Sequence, residues 1–255
     1  MQFTHIAQQS PWNQRRMLAQ RGKSTNELAD RFLKLGLKSL EDYEIVELLL
    51  GLVLPTKESK KQARRCIEEL GSLRRVVEAS SEELAECGVL DPGILCIKLV
   101  SEIPVRVLKQ KIRGGHVYRS SHEVFQYLSY SMRRLKKEVF KVLYLNTRNQ
   151  IIEELDLFEG TIDSIPVFPR QIVESAINYN ATALIFAHNH PAGDPTPSRN
   201  DKQLTRDLVF LGSILQIKVL DHIIIGDDNH FSFHSEGLIE KYEDSFLMLR
   251  MKATL

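Results

Sequence analysis

Cysteine is scarce in this chain: Cys66, Cys87 and Cys96 are the only three in 255 residues, all in the first half and none at metal-ligand spacing. That count excludes a disulfide framework and fits reduced thiols in a cytoplasm, serving as small core residues. Long apolar runs are also missing. The longest, Ile45 to Leu54, is broken by Glu47 and is about half of what a membrane span needs. The N-terminal stretch MQFTHIAQQSPWNQRR lacks the basic-then-apolar order of a secretory signal, so the expectation is a cytoplasmic protein with no membrane partner. Neither sign of charge dominates: 34 Lys and Arg face 33 Asp and Glu. Residues 1–118 hold 19 basic and 15 acidic side chains and residues 119–255 hold 15 and 18, too small an excess to imply a nucleic-acid partner. There is no internal repeat and no low-complexity stretch.

What remains is 43% hydrophobic and 26% charged, the profile of a globular protein long enough for one large or two modest domains. Residues 1–24 read as a polar arm. Residues 25–112 carry a helical period, clearest where Ala63, Cys66, Ile67 and Leu70 share a face and Gly71 supplies a stop. Ser80 and Ser81 ahead of Glu82 and Glu83 predict a capped helix start. Helices separated by four to six residues suggest a compact all-α domain. Gly114, Gly115 and the Ser120-Ser121 pair mark a linker over 113–121. Residues 122–236 then alternate helices with strands: Val139–Leu145, a turn at 146–149, Ile151–Leu157, a helix over Pro169–Ala176, and the fully apolar Ala183–Ala187. A proline-rich loop follows from His188 to Ser198, then a helix over Asn200–Gly212 and strands near Ile217–Ile225 and Phe231–Phe233. This order predicts an α/β unit of three layers around a mixed sheet. The tail, residues 237–255, is an amphipathic helix whose Leu238, Tyr242, Phe246 and Leu249 are suited to covering the domain.

The chemistry concentrates between Phe186 and Asp201. His188 and His190 leave the end of a buried strand two residues apart, so they point to the same side. Imidazole is a preferred zinc ligand, a carboxylate such as Asp201 makes a third, and three protein ligands leave the fourth tetrahedral position for water. Gly193, Pro195 and Pro197 stiffen the turn that brings Asp201 back. Each residue also has a plainer reading: Ser198 and Asp201 fit the capping box of the following helix, and a lone buried His is usually a core residue. The full spacing His-x-His-x7-Ser-x2-Asp arises by chance in roughly one such sequence per thousand.

That spacing resembles the signature of the JAB/MPN (JAMM) metallopeptidases. The surrounding pieces narrow the resemblance to the RadC family: Glu138-Val139-Phe140, Leu145-Asn146-Thr147-Arg148-Asn149, Glu159-Gly160-Thr161, Pro169-Arg170, His-Asn-His-Pro at 188–191, and Asp221-His222-Ile223-Ile224-Ile225-Gly226. The resemblance implies a mixed-sheet, cytidine-deaminase-like JAB/MPN domain behind a helix-hairpin-helix-like domain. It implies one Zn2+ per chain on His188, His190 and Asp201, with Glu138 as general base and Ser198 as oxyanion donor, acting on a protein or peptide amide bond. Spacing alone does not supply Glu138; Asp194, on the loop, is the next candidate for the base. The family usually has His where this chain has Phe168 and Ser where it has Ala192. Asp221-His222 belongs to the family pattern, and its strand setting suggests a structural or supporting role. In the helical domain the hairpin turn Gly88-Val89-Leu90 is followed by Asp91-Pro92-Gly93, and an acid there is unfavourable for a phosphate, which leaves at most weak nucleic-acid binding. A DNA-repair accessory protein and a non-catalytic MPN scaffold are the competing readings.

Overall fold

A computed structural model describes residues 23–113, 121–160 and 169–252. Residues 1–22 of the expected arm, Phe168 and residues 114–120 of the expected linker lie outside them, and Lys23 and Ser24 of the arm already belong to the first helix. The chain divides into two compact units, Met1–Ile103 and Pro104–Leu255. The division falls inside a helix at Pro104, which has no N–H to give its own i−4 bond.

The first unit is helical: α1 (Lys23–Leu35), α2 (Asp42–Leu50), α3 (Thr56–Leu70), α4 (Leu73–Glu78), α5 (Ser81–Glu86) and the start of α6 (Asp91–Ile112). Gly71 ends α3 in the left-handed region at φ 88°, as expected of a C-terminal glycine. Ser80 caps α5, its hydroxyl accepting from Glu83 N–H while the Glu83 carboxylate accepts from Ser80 N–H. The connections flanking α4 are two residues long, shorter than expected, because Ser72 and Ser80 each start a helix at once. Cys66 and Cys87 lie in the core with Leu50, Leu84 and Ile97. Burial pushes the Cys87 thiol up to about 12, as suits an inert core residue.

The second unit is built on a five-stranded sheet of β1 (Glu138–Leu145), β2 (Ile151–Gly160), β3 (Ala183–Asn189), β4 (Lys218–Ile225) and β5 (His230–Ser232), in the order β2-β1-β3-β4-β5. Only β3 and β4 run parallel, joined by the crossover helix α9 (Arg199–Leu215); the other pairs are antiparallel, so the sheet is mixed. Strand alternation sorts the side chains into two cores. Val139, Leu143, Ile185, Ala187 and Ile223 face α7 (Ser121–Met132) and the end of α6. Phe140, Val142, Leu184, Phe186 and Ile224 face α8 (Pro169–Asn178), α9 and α10 (Leu238–Lys252). The tail covers the domain in part: Ile239 is buried and Phe246 meets Phe210 at 5.5 Å, whereas Leu249 is exposed. No helix among the described residues is long and apolar enough to cross a membrane.

Candidate metal centre

β3 lies between β1 and β4 and is buried along its whole length. It runs two residues beyond the expected Ala187, because His188 still pairs with Phe140 and Asn189 with Ile225. His188 points to the α9 face and is fully buried; His190 sits just past the strand, anchored by its N–H donating to Ile225 O at 2.9 Å. Their Nε2 atoms meet at 3.0 Å. Asp201, in the first turn of α9, brings Oδ1 to 3.4 Å from His188 Nε2 and Oδ2 to 3.7 Å from His190 Nε2. Glu138, the first residue of β1, reaches 3.8 Å from His188 Nε2. Glu138, His188 and His190 together offer ligand atoms all within 4.8 Å of one another, a group able to hold a metal ion.

The capping reading of Asp201 is realised, and it uses one of the two carboxylate oxygens. Oδ2 accepts from Ser198 N–H at 2.7 Å while Ser198 Oγ accepts from Asp201 N–H at 3.1 Å, the reciprocal capping box of α9. Oδ1 is buried with no hydrogen-bond partner. A buried carboxylate oxygen without a donor is costly, and this one lies beside His188 Nε2. His190 Nδ1 lies 2.7 Å from the Asp194 carbonyl, which can only accept, so Nδ1 carries the hydrogen and a neutral ring presents a bare Nε2. An orphaned carboxylate oxygen and a bare imidazole nitrogen converging on one point fit a cation, and two His with one Asp fit zinc.

Burial and neighbouring charges act differently on the members of the group. Burial holds the His188 pKa well below the ordinary imidazole value, with nearby His222 adding to the effect. Burial pushes His222 down to about 4. His190 is raised, chiefly by its contact with Asp201. Burial alone would raise Asp201, but His190, His188 and Ser198 outweigh it and hold the carboxylate below its usual range.

Asn189, a residue to which the sequence assigned no role, positions Glu138. Buried between the two histidines, its Oδ1 accepts from Val139 N–H at 2.9 Å, and its Nδ2 donates to Leu135 O and Lys137 O, each at 3.1 Å. Three bonds from one side chain thus tie the approach to β1 onto the end of β3. No sequence signal marked this role, because the expected strand ends at Ala187 and the partners of Asn189 lie about fifty residues earlier. On the loop, Gly193 adopts φ +89°, and a Cβ there would lie 2.7 Å from Asp227 Oδ2. Asp194 spends Oδ1 on Thr196 N–H and Oγ1–H, and these bonds lower its pKa, which makes it a poor base. Ala192 is exposed on the same loop.

The RadC-like JAB domain family model matches residues 118–238, a span that contains Glu138, His188, His190, Ser198 and Asp201. A UPF0758 protein of Pseudoalteromonas translucida (strain TAC 125) is 36% identical over 211 residues, 82% of this chain and 94% of its own length. A UPF0758 protein of Rhodobacter capsulatus is 35% identical over 213 residues, 83% of this chain and all of its own. One from Ruegeria pomeroyi is 35% identical over 213 residues, with 83% and 95% coverage.

Proposed function

The chain belongs to the RadC (UPF0758) family, and on that premise we propose that it is a zinc-dependent peptidase or isopeptidase, with His188, His190 and Asp201 as ligands and Glu138 as general base. The observation that carries this reading is the orphaned Oδ1 of Asp201, 3.4 Å from His188 Nε2, beside a His190 Nε2 that lies 3.0 Å from the same imidazole nitrogen. Two carboxylates compete for the third ligand position, and burial favours Asp201: it is 1% exposed, while Glu138 is 15% exposed and open to an incoming water and substrate. A zinc ion held there supplies Lewis acidity, making water acidic near neutral pH and polarising a scissile carbonyl.

Glu138 takes the proton from the attacking water and delivers it to the leaving amine, so that C–O forms, C–N breaks, and a carboxylic acid and an amine result. The Asn189 clamp holds the start of β1, and with it Glu138, against the end of β3. Ser198 Oγ is oriented by the bond it accepts from Asp201 N–H, which leaves its own hydrogen for the oxyanion.

Glu138→Gln tests this assignment. Gln keeps the shape and cannot accept the proton, so zinc content and melting temperature stay near wild type while cleavage of a pooled peptide library falls by about 100- to 10,000-fold. Full activity in the variant moves the base elsewhere, and loss of zinc makes Glu138 a ligand.

A further inference from the structure

Behind His188 lies a second buried imidazole that the proposed reaction does not use. His222, on β4, is boxed by phenyl rings: Phe233 stacks on it at 5.0 Å, and Phe140 and Phe186 present edges at 5.5 and 6.0 Å. Its Nε2 lies 2.8 Å from His188 Nδ1 and its Nδ1 lies 2.6 Å from Thr205 Oγ1. Thr205 Oγ1 in turn lies 2.6 Å from the carbonyl oxygen of Asp201, one helical turn back. All three side chains are fully buried.

The direction of each bond follows from the far end. A carbonyl cannot donate, so the single hydroxyl hydrogen of Thr205 points at Asp201 O. Thr205 Oγ1 then accepts from His222 Nδ1–H. An uncharged His222 has no second hydrogen, so its Nε2 accepts from His188 Nδ1–H. His188 is left with a bare Nε2, aimed at Asp201 Oδ1 and His190. Helical threonines commonly bond back to the preceding turn, so the Thr205–Asp201 bond alone signals nothing. What is informative is that it terminates a chain beginning on one candidate ligand and ending on the backbone of another.

We infer that His222 and Thr205 are positioning residues that fix His188 as the Nδ1-protonated tautomer and link β3 through β4 to the turn of α9 that carries Asp201. The inference rests on the zinc reading for its use, but the tautomers can be read without metal. Most supporting partners of a ligating histidine are carboxylates, carbonyls or water. Here the phenyl box excludes water and the chain ends on a neutral hydroxyl, so the centre gains no further negative charge.

The test uses the full chain, metal-free and labelled with 15N in histidine. Long-range proton–nitrogen correlation spectra at neutral pH should show His188 and His222 both protonated on Nδ1. A proton on His188 Nε2 would overturn the inference. Thr205→Val removes the acceptor for His222 Nδ1–H, so the His222 hydrogen moves to Nε2 and that of His188 to its own Nε2, the atom needed for the metal. Zinc affinity, by competition with a chromophoric chelator, should weaken about 10- to 100-fold, and Thr205→Ser should restore it. Unchanged zinc affinity in a folded Thr205→Val chain also refutes the relay. If the tautomers are as assigned but wild type takes up no zinc, the relay stands and the peptidase reading fails.

Discussion

Two buried polar clusters lie on opposite faces of β1, and they differ in whether they are complete. On the α7 side, Lys141 reaches Asp156 at 2.5 Å and Glu154 at 3.9 Å, and Glu154 also accepts from Lys109 Nζ and Tyr127 Oη–H, each at 2.6 Å. Burial would raise Glu154, yet Lys109, Tyr127 and Lys141 outweigh it and lower its pKa. On the α9 side, His188, His190 and Asp201 are as deeply set, and Asp201 Oδ1 has no donor. The first cluster closes on itself and is structural. The second leaves one buried acceptor without a donor, and burial of polar groups alone would not have told them apart.

Removing ligands should separate the two most sharply. His188→Ala with His190→Ala should lower zinc from about one equivalent per chain to background in elemental analysis, because a lone Asp201 cannot hold the ion. Retained metal in that variant would sink the assigned centre. Glu154→Ala should do the reverse: Lys141 keeps Asp156, but the buried Tyr127 hydroxyl loses its acceptor, which costs about 1–3 kcal/mol in urea unfolding and leaves zinc content unchanged. Loss of zinc there would mean that the clusters are coupled through β1.

Acid should distinguish the faces by pH window. His222 is held at about 4 against an ordinary 6.5, so the unfolded chain binds the extra proton between those values and stability falls as pH drops through them. From pH 7 to pH 5 that group alone removes about 2 kcal/mol from the metal-free protein. His188 acts in the same direction, while His190, raised by Asp201, opposes it. Glu154 is depressed from 4.5, so its contribution is present above that pH and is lost only below it. A flat urea midpoint between pH 7 and 5 would contradict the buried neutral state of His222. The smallest effect concerns the helical unit. Leu90 N–H already donates to Gln62 Oε1 at 3.3 Å and Asp91 opens α6, so we propose only weak DNA binding that fades steeply with salt. Tight binding at physiological salt would give that unit a function of its own.

Local rules were legible in the sequence where their causes are local. Gly71 ends α3, Ser80 starts α5, and Ser198 with Asp201 starts α9, each within one turn. The two histidines and Asp201 could be read from spacing because one loop joins them. Glu138 came only with family resemblance, since 50 residues separate it from His188 and the sheet register brings them together. Asn189 and Thr205 carried no signal, as their partners lie on other strands. The change of composition at Gly114 and Gly115 lies ten residues beyond Pro104, where the two units divide inside a helix that has no compositional break.

The two oxygens of Asp201 have a consequence for reading other chains of this kind. One oxygen starts a helix and the other has no donor, so under the zinc reading proposed above selection on the position has two independent sources. A lineage that abandoned the metal would still gain from an acid three residues after Ser198, because α9 needs its cap. Persistence of that acid in a diverged sequence therefore reports on a helix, and only persistence of the paired imidazoles reports on chemistry.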